Sequence, residues 1–138
     1  MEKAKIERII KRYYDSLEEG VILGRKCTRC GHVEYPPYLI CNTCGCLETE
    51  WYDMKDEKFV CVQLLPPAAA FSEPEFKANV GDYFMGAIQS EHGDEFGSCI
   101  INVDPSTYDE LCVKVPFAVK PIIKQDVDEK MVLFELAE

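Results

Sequence analysis

Four cysteines in two Cys-x-x-Cys pairs are the residues of this chain whose types and spacing most clearly predict chemistry. The first pair is Cys27 and Cys30, the second is Cys41 and Cys44, and a glycine directly follows each pair. Two intervening residues allow one tight turn to present both thiolates to the same ion, and the glycine then lets the backbone turn away. The spacing predicts a four-sulfur metal site, with zinc as the expected ion and iron as the alternative.

The role of this ion and the competing uses of the cysteines follow from the same pattern. Four protein ligands leave no open coordination position, so we expect a structural ion rather than a catalytic one. No apolar run follows Met1, so no signal peptide is expected, and disulfide pairing is disfavoured. Neither pair joins a strand to a helix in a βαβ unit, which disfavours a thioredoxin-type redox pair. His32 and Cys46 are possible further ligands, but the regular pairing favours the four cysteines, and we expect His32 to lie at the surface.

Charge excludes some functions. The 138 residues carry a formal net charge of −10. Residues 1–40 hold eight Lys and Arg against six acidic residues, whereas residues 41–138 hold seven Lys against nineteen acidic residues. Since nucleic-acid binding needs a basic surface, the acidic body disfavours it. No apolar segment approaches the roughly 20 residues that span a bilayer, so we expect a soluble, cytoplasmic protein without membrane contact.

The N-terminal residues 2–18 predict an amphipathic helix that ends at Gly20. Its apolar residues recur with helical spacing, while lysines and arginines occupy the other side. The stripe consists of Ile6, Ile9, Ile10, Tyr13, Tyr14 and Leu17. Such a helix covers either the core of its own domain or a groove of a partner. Because tyrosine is enriched at interfaces, Tyr13, Tyr14 and Leu17 are the predicted partner-binding residues.

After the second cysteine pair the apolar pattern alternates every two residues, which predicts strands joined by hairpins. Residues 47–54 and 59–65 are expected to form the first hairpin, and residues 83–89 and 97–103 the second. The proline-bounded residues 66–74 are expected to be a loop with a functional role. Further strands are predicted at residues 111–119 and 131–136. Five or six short strands within about 90 residues favour a small closed barrel over a sandwich.

Independent catalysis is not expected. Outside the four-cysteine pattern, Cys61, Cys99 and Cys112 lie in apolar strand contexts, where an inert buried thiol is the ordinary reading. The two histidines are His32 and His92, the latter in an acidic turn where we expect it to be exposed. A Ser/His/Asp set, a glycine-rich phosphate loop and an HExxH motif are all missing from the sequence.

The ordered set of motifs resembles a family of zinc-ribbon/OB-fold proteins, formerly a domain of unknown function, that accompany thiolases. The resemblance rests on Tyr13-Tyr14, the four cysteines with Pro36-Pro37 between them, Trp51, the strands within residues 83–119 and Asp104-Pro105. It implies a mostly β fold: an N-terminal helix at residues 1–22, a rubredoxin-like zinc ribbon at 23–48 and a five-stranded OB-fold barrel at 49–138.

The same resemblance implies a non-catalytic subunit in a hetero-oligomer, such as a heterotetramer, with a thiolase-fold catalytic subunit. The small subunit would stabilise its partner and help to receive acyl-CoA. Because CoA phosphates need cations, Arg25, Lys26 and Arg29 are the predicted CoA-binding residues, although a solvated charged face explains them equally well. Two alternatives stay open: an OB-fold module for single-stranded nucleic acid and an iron-loaded electron carrier.

Overall fold

The computed structural model of the chain describes residues 2–38, 40–65, 78–126 and 129–137. Its contacts divide the chain into two compact units. The ribbon unit comprises Met1–Glu57 and Ser90–Asp94, and the barrel unit comprises Lys58–Gln89 and Glu95–Glu138. The ribbon unit therefore extends past residue 48, where the sequence analysis placed the start of the barrel.

Helix α1 (Glu2–Glu18) confirms the predicted N-terminal helix. It ends as expected at Gly20, whose N–H donates to the Leu17 carbonyl at 3.0 Å while the Val21 N–H donates to the Ser16 carbonyl at 2.9 Å. These two bonds form the Schellman arrangement that satisfies the last carbonyls of a helix. Leu17 and Ser16 are fully buried, so the C-terminal end of the helix packs into the ribbon unit.

A three-stranded antiparallel sheet forms the body of the ribbon unit. Strand β1 (Leu23–Cys27) lies between β2 (Val33–Glu34) and β3 (Thr49–Asp53). In this register Arg25 lies opposite Glu34 on one side and Trp51 on the other. The sheet places the first cysteine pair at the end of β1.

The predicted hairpin between residues 47–54 and 59–65 is wrong. Strand β3 pairs with β1 and not with β4 (Phe59–Leu64), which belongs to the barrel. A 3-10 turn at Met54–Asp56 separates the two strands. The Asp53 carboxylate caps this turn by accepting a hydrogen bond from the Lys55 N–H at 2.9 Å. Trp51 accordingly lies in the ribbon sheet rather than in the first barrel strand.

The barrel unit is a closed five-stranded barrel, which confirms the predicted fold class. Its strands are β4, β5 (Tyr83–Ser90), β6 (Glu95–Ile101), β7 (Phe117–Asp126) and β8 (Glu129–Leu136). Their order around the barrel is β4-β5-β6-β8-β7, with β6 and β8 parallel. A five-stranded Greek-key barrel of this kind is an OB-fold. The predicted hairpin of residues 83–89 and 97–103 is present as β5 and β6, paired antiparallel.

The barrel interior is apolar and aromatic. Strand β5 alternates strictly between buried and half-buried residues, as a strand with one face on a core must. Phe134 is 1% exposed, and its ring centroid lies 5.1 Å from that of Phe59 and 5.8 Å from that of Phe96. Ile88 and Ile100 are fully buried.

The strand predicted at residues 111–119 is also partly wrong. Residues 108–114 form helix α2 (Tyr108–Lys114), which follows a 3-10 turn at Pro105–Thr107, and only the end of the segment belongs to β7. Asp104 caps the turn, acidic residues occupy the first turn of the helix and Lys114 the last, all favourable for helix formation. Cys112 therefore lies on a helix.

Two further expectations concern the loop at residues 66–74 and the lack of a membrane-spanning segment. The predicted functional loop at residues 66–74 lies outside the described residues. Among the residues that are described, no helix has the length and apolar character needed to cross a membrane.

Candidate metal centre

Each cysteine pair sits in a tight turn that its backbone hydrogen bonds define. In the first turn the Gly31 N–H donates to the Cys27 carbonyl at 3.1 Å; in the second the Gly45 N–H donates to the Cys41 carbonyl at 2.8 Å. Gly31 and Gly45 have φ angles of 80° and 75°, in the left-handed region that glycine adopts without strain. The predicted role of the two glycines is therefore confirmed.

The structure brings the four predicted ligands together. The Sγ atoms of Cys27, Cys30, Cys41 and Cys44 all lie within 4.8 Å of one another. Cys27 Sγ is 3.6 Å from Cys44 Sγ, and Cys30 Sγ is 3.6 Å from Cys41 Sγ. Tetrahedral zinc with sulfur ligands at 2.3 Å requires sulfur separations of roughly 3.8 Å. The four thiols are free rather than disulfide-bonded, and their spacing fits one ion at their centre.

The thiols of the cluster differ in acidity. The pKa of Cys27 is lowered to about 6, because the backbone N–H of Cys30, and after it that of Arg29, stabilise its thiolate. The pKa of Cys44 is raised to about 12: the backbone N–H of Cys46 lowers it, but loss of solvation and the other three thiols outweigh this effect. Four adjacent thiolates repel one another, so full deprotonation requires a compensating metal ion.

The two other predicted neighbours do not join this cluster. Cys46 Sγ instead accepts a hydrogen bond from the Glu48 N–H at 3.3 Å. His32 belongs to a separate group with Glu34 and Asp94. Its side chain is only 13% exposed, so the expectation of a surface position for His32 is wrong. A closed set of four thiolates suits zinc or iron in a structural site, and the geometry alone favours neither ion.

The three predicted CoA-binding cations are not brought together. Arg25 Nε donates to Thr49 Oγ1 at 3.1 Å, and its guanidinium lies 4.7 Å from the Trp51 ring centroid. Lys26 Nζ lies 5.2 Å from the Tyr52 ring centroid. Since consecutive strand residues point to opposite faces, Arg25 and Lys26 lie on opposite faces of the sheet.

Arg29 lines an open groove. This open groove, of about 540 Å³, lies beside both cysteine turns and is lined by Thr28, Arg29, Gly45, Cys46, Leu47 and Glu48. The Leu47 side chain is 65% exposed there. A cation beside an exposed apolar side chain is a combination that suits an amphipathic anion.

The predicted partner-binding residues are also divided. Leu17 is fully buried in the ribbon unit and therefore has no surface to offer a partner. The Tyr13 hydroxyl lies 2.6 Å from that of Tyr35, and burial raises the Tyr13 pKa to about 12. Tyr14 is 37% exposed and Ile10 is 52% exposed. The outward face of α1 is thus the face of Ile10 and Tyr14.

Two histidine–carboxylate groups in the ribbon unit were missed by sequence reasoning. His32 Nε2 lies 3.3 Å from Glu34 Oε1 and 3.2 Å from Asp94 Oδ2. His92, whose side chain is 55% exposed as expected, has Nδ1 2.9 Å from Oε1 of the fully buried Glu57 carboxylate. The contacts of His32 with Asp94 and of His92 with Glu57 join residues 62 and 35 positions apart in sequence, so no local pattern indicates them.

Of the three cysteines expected to be buried, Cys61 is buried, whereas Cys99 and Cys112 are half-buried. Cys61 is fully buried, and burial raises its pKa to about 11. Burial also raises the pKa of Cys99. The two histidine rings are hydrogen-bonded to carboxylates, His32 to Asp94 and His92 to Glu57.

Comparison with known proteins rests on structure. No protein-family model and no curated protein matches this sequence. A chain of the Ltp2-ChsH2(DUF35) aldolase matches with a TM-score of 0.58 and 14% identity, covering 93% of this chain and 94% of that one. A DUF35-family protein of unknown function from Sulfolobus solfataricus matches with a TM-score of 0.56 and 12% identity, covering 93% of this chain and 84% of that one.

The TM-scores show a likeness of fold, and at identities of 12–14% they show the fold alone. This chain has the fold of DUF35 structures. The likeness extends over nearly the whole length of both chains, so it includes the ribbon and the barrel together rather than either unit alone.

Proposed function

We propose that this chain belongs to the DUF35 family and is a non-catalytic subunit of a thiolase-type acyl-CoA enzyme complex. The observation that carries the proposal is the fold likeness over 93% of the chain to a chain of the Ltp2-ChsH2(DUF35) aldolase, an assembly that pairs a DUF35 protein with an enzyme. Burial raises the pKa of the Cys61 and Cys99 thiols, which is consistent with a catalytic nucleophile on a partner rather than at these two positions.

In this proposal the metal-bound ribbon is the rigid platform of the subunit. The ion fixes the two cysteine turns, and these turns present the groove that contains Arg29 and Leu47. Arg29 would contact a CoA phosphate, whereas Arg25 and Lys26 are already held by Thr49, Trp51 and Tyr52. The exposed Ile10 and Tyr14 of α1 would contact the catalytic partner, in place of the buried Leu17.

A more specific assignment is the small subunit of a benzoylsuccinyl-CoA thiolase in anaerobic toluene degradation. It rests on the resemblance of the ordered motifs from Tyr13-Tyr14 to Asp104-Pro105. Benzoylsuccinyl-CoA is therefore the first acyl-CoA to assay in any complex that forms.

The second candidate function is binding of single-stranded nucleic acid, because OB-fold barrels commonly have this role. The charge distribution weighs against it. Lys114 pairs with Glu110 at 2.9 Å and Lys120 with Glu135 at 3.4 Å, which leaves less positive charge for phosphates.

Affinity purification of the tagged full chain from its native host tests the two candidates together. We expect a co-purifying protein of thiolase size, CoA-dependent cleavage of acyl-CoA by the isolated complex, and none by the chain alone. The measurements are the partner's mass, thioester cleavage and binding of a fluorescent oligonucleotide. Catalysis by the chain alone would contradict the accessory role. Recovery of the chain with nucleic acid and no enzyme would favour the second function.

The groove has a separate test. Arg29→Ala in the purified complex should raise the KM for the CoA thioester several-fold, because one charge-assisted phosphate contact is lost, and should leave the metal content unchanged. Lys26→Ala, whose ammonium lies over Tyr52, is the matched control and should leave that KM unchanged. An equal KM in the Arg29 variant and the wild type would remove Arg29 from the binding site.

A further inference from the structure

Glu34 on strand β2 is a buried carboxylate that the proposed function does not use. The residue is 6% exposed and lies between the two cysteine turns in sequence. Burial of an ionised carboxylate is costly unless hydrogen bonds replace its lost water. The partners of Glu34 therefore indicate what its position achieves.

The strongest of these partners belongs to the second cysteine turn. Asn42 directly follows the ligand Cys41, and its backbone N–H donates to Glu34 Oε1 at 2.7 Å. The Asn42 side-chain Nδ2 donates to Glu34 Oε2 at 3.1 Å. Both carboxylate oxygens thus accept hydrogen bonds from the residue that follows the predicted ligand Cys41.

The other partner connects to the first cysteine turn. His32 Nε2 lies 3.3 Å from Glu34 Oε1, and the His32 carbonyl accepts a hydrogen bond from the Cys27 N–H at 2.9 Å. The ring of His32 also contacts Asp94, with Nε2 and Oδ2 separated by 3.2 Å. Glu34 is therefore hydrogen-bonded to the residue after a ligand of the second turn and in contact with His32, which lies two residues after a ligand of the first turn.

We propose that Glu34 is a positioning residue of the metal centre: it holds the Cys41 turn in register with the Cys27 turn and thereby sets how tightly and how long the ion is held. The inference rests on the four-cysteine site binding an ion. Loss of residues that orient metal ligands typically weakens metal affinity about 10–100-fold. The reach of the carboxylate, rather than its charge, is the property that the geometry requires.

Three substitutions separate reach from charge. Glu34→Ala removes both bonds to Asn42. Glu34→Asp keeps the charge but shortens the side chain by one methylene, so it cannot reach Asn42 in the same way. Glu34→Gln keeps the reach, and reversal of the Asn42 amide restores both hydrogen bonds. Glu50→Ala, at an exposed position of the same unit, is the control.

The experiment measures zinc transfer from each full-length variant to a chromophoric chelator, which gives both affinity and release rate. We expect Ala and Asp at position 34 to weaken affinity about 10–100-fold and to accelerate release, with Gln and the Glu50 control near wild type. Cobalt-loaded samples of all variants should keep the thiolate charge-transfer bands of a four-sulfur site. If the Ala variant does not fold, the contrast between Asp and Gln decides the question.

Two results would overturn the inference, and only the second would also overturn the metal site. If wild type binds zinc and the Asp and Ala variants bind and release it equally well, the positioning role is wrong and the metal site stands. If wild type binds no zinc or cobalt at all, the metal assignment fails and the positioning role fails with it. The melting temperature alone does not decide between these results, because loss of a carboxylate with a merely structural role would also lower the melting temperature.

Discussion

The ribbon unit and the barrel unit differ in what fills their interiors. All buried polar side chains found among the described residues, Ser16, Glu34, Glu57 and Ser90, lie in the ribbon unit, as do the two buried ligands Cys27 and Cys41. The barrel interior consists of aromatic and aliphatic side chains such as Phe59, Phe134 and Ile100. Hydrogen-bonded polar groups and the four-cysteine cluster thus characterise the first unit, and apolar packing characterises the second.

This difference has an energetic consequence. Apolar packing is non-directional, whereas a buried polar group that loses its partner destabilises the fold by its full cost of desolvation. If the four cysteines hold an ion, folding of the short three-stranded sheet is coupled to binding of that ion. We therefore expect damage to the metal site to disrupt the ribbon unit, and damage to the aromatic core to destabilise the barrel unit without loss of metal.

The largest effect should follow from Cys41→Ser. Structural zinc sites contribute apparent binding free energies of about 10–16 kcal/mol in small zinc-binding peptides, so loss of one ligand should remove the ion and unfold the ribbon unit. Hydrogen exchange followed by mass spectrometry should show rapid exchange in β1, β2 and β3, with protection retained in β5 and β8. Cys46→Ser is the matched control, because Cys46 lies outside the four-sulfur cluster. Protected ribbon strands in the Cys41 variant would contradict the comparison.

The second largest effect should come from the barrel. Phe134→Ala removes a ring that packs on Phe59 and Phe96, and such a truncation typically costs about 3–5 kcal/mol. Denaturant unfolding measures the loss, and metal analysis should show an unchanged content. Val113→Ala, at a side chain that is 83% exposed, should change the stability by less than about 0.5 kcal/mol. Loss of metal from the Phe134 variant would show that the two interiors are not independent.

The smallest effect concerns pH. The hydrogen bond that the Glu57 carboxylate accepts from His92, together with the charges of Glu57 and Glu91, raises the pKa of His92, while loss of solvation and Lys26 oppose the shift. Because the pKa of His92 is higher in the folded state than in the unfolded state, protonated His92 stabilises the fold. This stabilisation is fully present below the unfolded-state pKa of about 6.5 and is lost as the pH rises through the folded-state pKa.

Melting temperatures of wild type and His92→Gln across this range test the pH effect. The excess of the wild-type melting temperature over that of the variant should be greatest at acidic pH and decline towards alkaline pH. This excess should be small, because the backbone N–H of residue 92, which donates to Glu57 at 2.9 Å in the wild type, is not removed by the substitution. A difference between the two proteins that does not vary with pH would rule out this ionisation.

Much of this architecture could be predicted from local patterns. Helix α1, both cysteine turns and the β5–β6 hairpin each follow from a periodicity or spacing within a few residues of sequence. Helix α2 could have been found as well, since Asp104-Pro105, the acidic first turn and Lys114 are ordinary helix signals that the apolar run of residues 111–119 outweighed.

Other features depend on tertiary pairing and could not be read locally. The partner of β3 is decided by contacts such as Arg25 with Trp51, across 26 positions of sequence. The contact of His32 with Asp94 spans 62 positions. Leu17 and Tyr14 share the apolar stripe of α1, and only packing shows that the first is buried and the second exposed.

The central claim is that Cys27, Cys30, Cys41 and Cys44 hold one structural metal ion. Metal analysis of the purified full chain by plasma mass spectrometry, scaled to protein concentration, tests it most directly. We predict one zinc ion per chain in the wild type and in Cys46→Ser, and none in Cys41→Ser. One iron per chain would keep the site and change the ion. A metal-free wild type, or a Cys41 variant that retains a full equivalent, would contradict the claim.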